Sequence, residues 1–178
     1  SAAPASLGLD PQALERLAEL INGHLTEGRY PGAQVALARH GKLALLKSFG
    51  EARLDPRTPA RDDTLWLLYS NTKVITASAV WLLVERGSLR FTDPVAMHVP
   101  GFEANGKGGI TVIQLLTHQG GFPDADVPRA AWDDHDLLAR TVCGFTLDWT
   151  PGSRVHYHGR AAHWVAAVLI ERLTKTDY

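Results

Sequence analysis

The chain has 178 residues, 45% of them hydrophobic and 21% charged, which is the composition of a globular protein with a core, not of a disordered or fibrous chain. A formal net charge of −1, with no clustering of Lys or Arg, argues against nucleic acid or an anionic membrane as the main partner. A single cysteine, Cys143, excludes an internal disulfide framework, and no apolar run reaches the roughly 20 residues of a membrane span. The first residues show neither the basic nor the apolar region of a signal peptide, which favours the cytoplasm without fixing the compartment. The only methionine is Met97, so an upstream piece is expected to have been removed.

Asp10-Pro11 reads as an N-cap followed by proline at the first helical position, and Leu14, Leu17, Leu20, Ile21 and Leu25 recur at helical spacing to about Gly28. "AQVALARHGKLALLKSFGEA" is a hairpin, with Val35 and Leu37 alternating on one strand, Leu43 and Leu45 on the other, and His40-Gly41 as a two-residue turn. A polar loop from Leu54 to Asp63 leads through "TLWLLYS" into a long apolar helix that ends at Gly87 and is expected to be buried. Thr111 and Gln114 form a T-x-x-Q capping box for "TVIQLLTH". Asp133 and Asp134 cap a short helix carrying Leu137, Leu138 and Val142, and "GRAAHWVAAVLIERLTK" is a terminal helix that buries Trp164, Val168 and Leu169. There is no internal repeat and no low-complexity segment.

This order separates a helix-and-hairpin region, residues 1–60, from a mostly helical region, residues 61–178. A hairpin alone is marginal in water and leaves both edges unpaired. Either it packs on the first and last helices, or the strands that complete its sheet lie outside these residues; no convincing further strand is visible.

"SNTK" opens the long helix and sets Ser70 one turn from Lys73, so that both side chains share a face. A serine oxygen there sits near unpaired N–H groups and the positive end of the helix dipole, which favour negative charge on a reacting atom. Apolar neighbours Val74, Ile75 and Ala77 are expected to disfavour the charged form of the lysine, and a lysine of reduced basicity can take a serine's proton. The same pair also fits a plain N-cap serine beside a lysine that snorkels to water, and the spacing alone does not separate these readings.

Other signals carry less. "GFEANGKGG" approaches a phosphate-binding loop, but Gly108 stands where a magnesium-binding hydroxyl is needed and no strand precedes it, so a flexible loop is expected. His156 and His158 form an H-x-H with no evident third ligand, and no metal is assigned. Cys143 has no assigned base and is not taken as a nucleophile. The five tryptophans are mostly core residues, although Trp149 and Phe122 can also be read as the wall of an acyl pocket.

Taken with "TVIQLLTHQGGFP" and "PGSRVHYHGRAAHWVAAVLIERLTK", the S-x-x-K stretch resembles the serine β-lactamase-like hydrolases: class C β-lactamases, D-Ala-D-Ala carboxypeptidases and family VIII carboxylesterases. The resemblance runs from the first helix to Tyr178. It implies a β-lactamase/transpeptidase-like α/β fold (layered α+β), with an antiparallel sheet flanked by helices, a helical subdomain, and a sheet that is incomplete in this chain. It implies Ser70 as nucleophile, Lys73 as its proton partner and Tyr157, after the Pro151-Gly152 turn, as general base or acid; which of Lys73 and Tyr157 is the base stays open. Phe122, Trp149 and His158 are the expected substrate-binding residues, and His118 in "LLTHQGG" is expected to hold the loop beneath the site. No cofactor is implied.

Three departures shape the expectation. Gly159 stands where the family has an asparagine, which favours simple esters over β-lactams. Gln119-Gly120 replaces a Thr-Ser pair. A later strand with a K-T-G-like triplet, which supplies the second oxyanion-hole N–H, has no counterpart before Tyr178, and losing such a donor costs about 10²–10³ in rate. The expectation is therefore the N-terminal half of a serine hydrolase acting on a small ester or amide, with a second chain as the possible source of the other half. β-Lactamase, D-amino-peptidase or acyltransferase chemistry, a non-catalytic binding domain and an inactive fragment are the alternatives.

Overall fold

A computed structural model describes residues 2–177. The chain forms two compact units that divide between Leu67 and Leu68, within the stretch that leads into the long helix.

The first unit begins with helix α1, Pro11–Thr26. Asp10 caps it by accepting a hydrogen bond from the Gln12 N–H at 2.9 Å, and Pro11 loses nothing at a position whose N–H has no helical partner. Strand β1, Gly32–Arg39, pairs antiparallel with β2, Lys42–Leu54. His40 (φ +52°) and Gly41 (φ +70°) both take the left-handed conformation that a tight hairpin turn of this type demands. A third strand, β3 at Arg57–Pro59, folds back onto β2 to give the antiparallel order β1-β2-β3. It escaped the sequence because it has three residues, all exposed, and none of the apolar alternation that marks a strand. Among the described residues the sheet is not closed.

Among its described residues the second unit holds four α-helices: α2 at Thr72–Glu85, α3 at Val112–Leu116, α4 at His135–Gly144 and α5 at Ala161–Thr174. Helix α5 is the centre of its core, packing against α2, α3 and α4 and burying Ala161, Ala162 and every residue from Val165 to Ile170. The expected capping box is present in full: the Gln114 N–H donates to Thr111 Oγ1 at 3.3 Å and the Thr111 N–H donates to Gln114 Oε1 at 3.0 Å. Asp134, not Asp133, caps α4.

Helix α2 differs from expectation. It buries only Val80 and Leu83, while Val74 (68% exposed), Ile75 (58%) and Trp81 (61%) face water. The sequence is apolar around the whole circumference, and among the described residues only one side of the helix has a partner. The apolar surroundings expected for Lys73 are therefore open to solvent at Val74 and Ile75.

The "GKGG" stretch is likewise not a free loop. Lys107 is wholly buried, and its Nζ donates to the carbonyls of Ala104 (2.7 Å), Cys143 (2.9 Å) and Phe145 (2.6 Å). The cation thus closes the C-terminal end of α4, where free carbonyls and the helix dipole favour positive charge. Burial pulls its pKa below the ordinary lysine value, while the three acceptors compensate its lost hydration. Lys107→Met would keep the bulk and leave these carbonyls unpaired. The expected loss is about 2–4 kcal/mol in urea denaturation; a loss below about 0.5 kcal/mol would show that the lysine is not a structural cap.

Candidate active site

Ser70 lies in a single 3₁₀ turn, Tyr69–Asn71, that runs directly into α2. Tyr69 adopts φ +47°, a left-handed conformation that costs a non-glycine residue on the order of 1–2 kcal/mol. This bend turns the chain just before the serine and leaves Ser70 at the solvent-facing head of the helix. Lys73, one turn on, points its Nζ at Ser70 Oγ from 3.5 Å, the outer limit of a hydrogen bond.

Tyr157 comes from an irregular strap between the Pro151-Gly152 turn and α5, and its hydroxyl lies 2.7 Å from Ser70 Oγ. Lys73 Nζ also sits 5.1 Å from the centre of the tyrosine ring. Hydrogen bonding from Ser70 first, and from Lys73 second, holds the Tyr157 phenol below its ordinary pKa, because both stabilise the phenolate. Ser70, Lys73 and Tyr157 therefore form one connected cluster.

The strap is held by residues 118–122. The His156 N–H donates to the His118 carbonyl (3.0 Å), the His158 N–H to His118 Nδ1 (3.2 Å), and the Phe122 N–H to His158 Nε2 (3.2 Å). His118 takes φ +60°, which lets its carbonyl and ring both face the strap. A side chain at Gly121 (φ +87°) would come within 2.5 Å of the Trp149 carbonyl, so glycine is required for the two segments to approach. His118 thus holds the strap through both its carbonyl and its ring.

These bonds fix the protonation of both rings. His158 donates from Nδ1 to the His156 carbonyl at 2.6 Å and accepts at Nε2, while His118 accepts at Nδ1, so each works as a neutral imidazole. Burial, above all, lowers both pKa values below the usual histidine range.

The expected substrate-binding residues are placed differently. Phe122 is 1% exposed, packed edge-on against Phe102 within the core, and His158 is wholly buried. Both support the strap from inside instead of lining an open wall, because the hydrogen bonds that position Tyr157 draw them inward. Trp149 is half-buried, with the Arg154 guanidinium over its ring at 3.8 Å and His156 and His158 at its edge. A cleft of about 320 Å³ lies beside Tyr157, lined by Asp124, Asp126, Gly159 and Arg160, among others. Arg160 pairs with both oxygens of Asp126 at 3.0 Å. The D-x-D directly after "GGFP" was the signal for this wall. No group of three or more metal-ligating side chains converges among the described residues.

An exposed serine at the head of an apolar helix, joined to a lysine one turn on and to a strapped tyrosine, on this α+β framework, defines the β-lactamase/transpeptidase-like fold. Residues 17–178 match the family described as Beta-lactamase, and the chain belongs to it. Esterase EstB of Burkholderia gladioli is 37% identical over 123 residues, covering 66% of this chain and 31% of the esterase. A solved family VIII carboxylesterase superposes with a TM-score of 0.80 at 30% identity, over 90% of this chain and 44% of that one. A penicillin-binding protein homologue from Caulobacter crescentus superposes with a TM-score of 0.83 at 29% identity, over 94% of this chain and 46% of that one. The chain spans about a third of the length of the curated relatives it matches.

Two measurements check this geometry. Tyrosinate absorbance should show one component titrating below the ordinary phenol value, absent in Tyr157→Phe and displaced upward in Ser70→Ala; an unmoved midpoint in Ser70→Ala would contradict the Ser70 contact. For the histidines the folded pKa is depressed, so below about pH 6.5 the unfolded chain takes up protons that the folded chain refuses. Their contribution is therefore retained above that pH and lost as the pH falls through it toward the folded values. Urea denaturation should show lower stability at acid pH than at neutral pH, with a shallower decline in His158→Gln, and an equally steep decline in that variant would refute the assignment.

Proposed function

We propose that the protein is a serine hydrolase that works through an acyl-enzyme on small carboxylic esters. The observation that carries this reading is the Ser70 Oγ–Tyr157 OH contact of 2.7 Å, with Lys73 Nζ 3.5 Å from the same oxygen. Of the two proton acceptors Tyr157 is nearer, and a pKa held below the ordinary phenol value raises its share of phenolate, which supports it as the base. Ser70 gives its proton to the Tyr157 oxygen as Oγ bonds to the ester carbonyl carbon. Tyr157 returns that proton to the departing alkoxide, and Lys73 offsets the charge on the phenolate. Water then adds to the acyl carbon, giving one proton to Tyr157, and the acid leaves as Ser70 regains its own.

Support for an ester comes from the names of the esterase relatives and from Gly159, where a side chain would meet nothing within 4 Å and no amide stands to grip a β-lactam or peptide. β-Lactam, D-amino-peptide and acyl-transfer chemistry use the same serine and rank behind it; a binding domain without turnover is the contrasting reading. The open apolar face of α2 supports the further proposal that a segment or second chain covers it and supplies the second oxyanion donor.

Hydrolysis of a p-nitrophenyl ester by the protein should fall to background in Ser70→Ala and by about 10²–10⁴ in kcat/KM in Tyr157→Phe, with both variants folded by circular dichroism. Unchanged turnover in either folded variant would sink the assignment, and hydrolysis of a β-lactam faster than of the ester would overturn the substrate class.

A further inference from the structure

His163 lies on the first turn of α5, the helix packed against α2 behind the site. Its Nε2 is 3.5 Å from the backbone carbonyl of Lys73. A carbonyl only accepts, so Nε2 carries the hydrogen and Nδ1 is left with a bare lone pair. That Nδ1 is buried and has no hydrogen-bond partner. A buried polar atom without a partner is costly, and apolar residues surround it on α5, so a leucine would pack there without that cost. The position nevertheless holds a titratable ring, set against the residue that carries the site's one ammonium group.

Among the described residues the groups that act on His163 electrostatically are Lys73 on α2 and His118 beyond α3, and none comes from α4, which also packs on α5. Protonating His163 has two consequences. Nδ1 gains a hydrogen with no acceptor, and a second cation appears against the residue that carries the Lys73 ammonium.

We propose that His163 is a positioning residue for Lys73. As a neutral ring it ties the first turn of α2 to α5 through the Lys73 carbonyl. As a cation it is repelled by the Lys73 ammonium, so the first turn of α2 is held in this position only while His163 is uncharged. Burial, above all, lowers the pKa of His163; the hydrogen bond to the Lys73 carbonyl opposes this, while the charges of Lys73 and His118 add to it, and the net direction favours the neutral ring near neutral pH. The inference rests on the acylation of Ser70 proposed above for its effect on reactivity, but the coupling between His163 and Lys73 stands apart from it.

The test has two arms on the whole chain. Histidine ring resonances are titrated by NMR, with His163 assigned by its disappearance in His163→Gln. Its midpoint should lie below the ordinary histidine value and rise by about one pH unit in Lys73→Met, where the opposing charge is gone. An unmoved midpoint overturns the proposal. In the second arm, fluorophosphonate labelling of Ser70 is followed against pH. Below the His163 midpoint the wild-type rate should fall more steeply with falling pH than that of His163→Gln, which keeps a donor for the carbonyl but cannot ionise; the part of the decline common to both proteins belongs to protonation of Tyr157. An equally steep decline in the variant overturns the proposal. Absence of labelling at every pH sinks the acylation reading instead, and leaves the NMR coupling to decide for His163.

Discussion

The contact between Ser70 Oγ and the Tyr157 hydroxyl joins residues 87 positions apart in the chain, and the proposed chemistry depends on it. Neither group is reactive alone: a serine hydroxyl is a weak nucleophile, and a phenol is a weak base near neutrality. At 2.7 Å each alters the other, and the Ser70 hydrogen bond is the largest influence holding the tyrosine below its ordinary pKa. Placing the two oxygens together requires a sharp bend before α2, which Tyr69 provides at φ +47°, and a strap before α5 that cannot drift. Preorganisation of this kind transfers cost from the reaction to the fold.

The strap is held mainly by backbone N–H groups donating to histidines and carbonyls. His118 and His158 serve because an imidazole can accept on one nitrogen and donate on the other within a single buried ring. The arrangement survives only while the rings are neutral. The two imidazoles that hold the strap therefore bring hydrogen bonds to the site without adding charge near neutral pH. Lys107 stands on the other side of that division: its charge is wholly buried too, but it is spent on three carbonyls near the end of α4 and is not drawn into the cluster.

Much of this was legible in the residues. Local signals with a direct physical cause translated faithfully: Asp10-Pro11 at the start of α1, His40-Gly41 in the hairpin, Thr111 and Gln114 at α3, and the one-turn spacing of Ser70 and Lys73. Features that depend on distant partners were not. β3 has no pattern of its own and exists only because β2 is there to pair with. Lys107 reads as a loop lysine because its three acceptors lie in or beside the C-terminal ends of separate segments. Phe122 and His158 read as pocket residues because proximity to Tyr157 in sequence does not say whether a side chain points toward the substrate or toward the core. The exposed face of α2 carried the opposite error: apolar residues all round a helix indicate burial, and here one side has no partner among the described residues.

The most direct test of the account is to locate a covalent adduct. The protein would be treated with a fluorophosphonate, digested, and its peptides sequenced by mass spectrometry, with Tyr157→Phe run in parallel. The account predicts one modified residue, Ser70, formed far more slowly in Tyr157→Phe. An adduct on another residue, no adduct at all, or equal rates in the two proteins would contradict the claim that Ser70 and Tyr157 act as a single reactive pair.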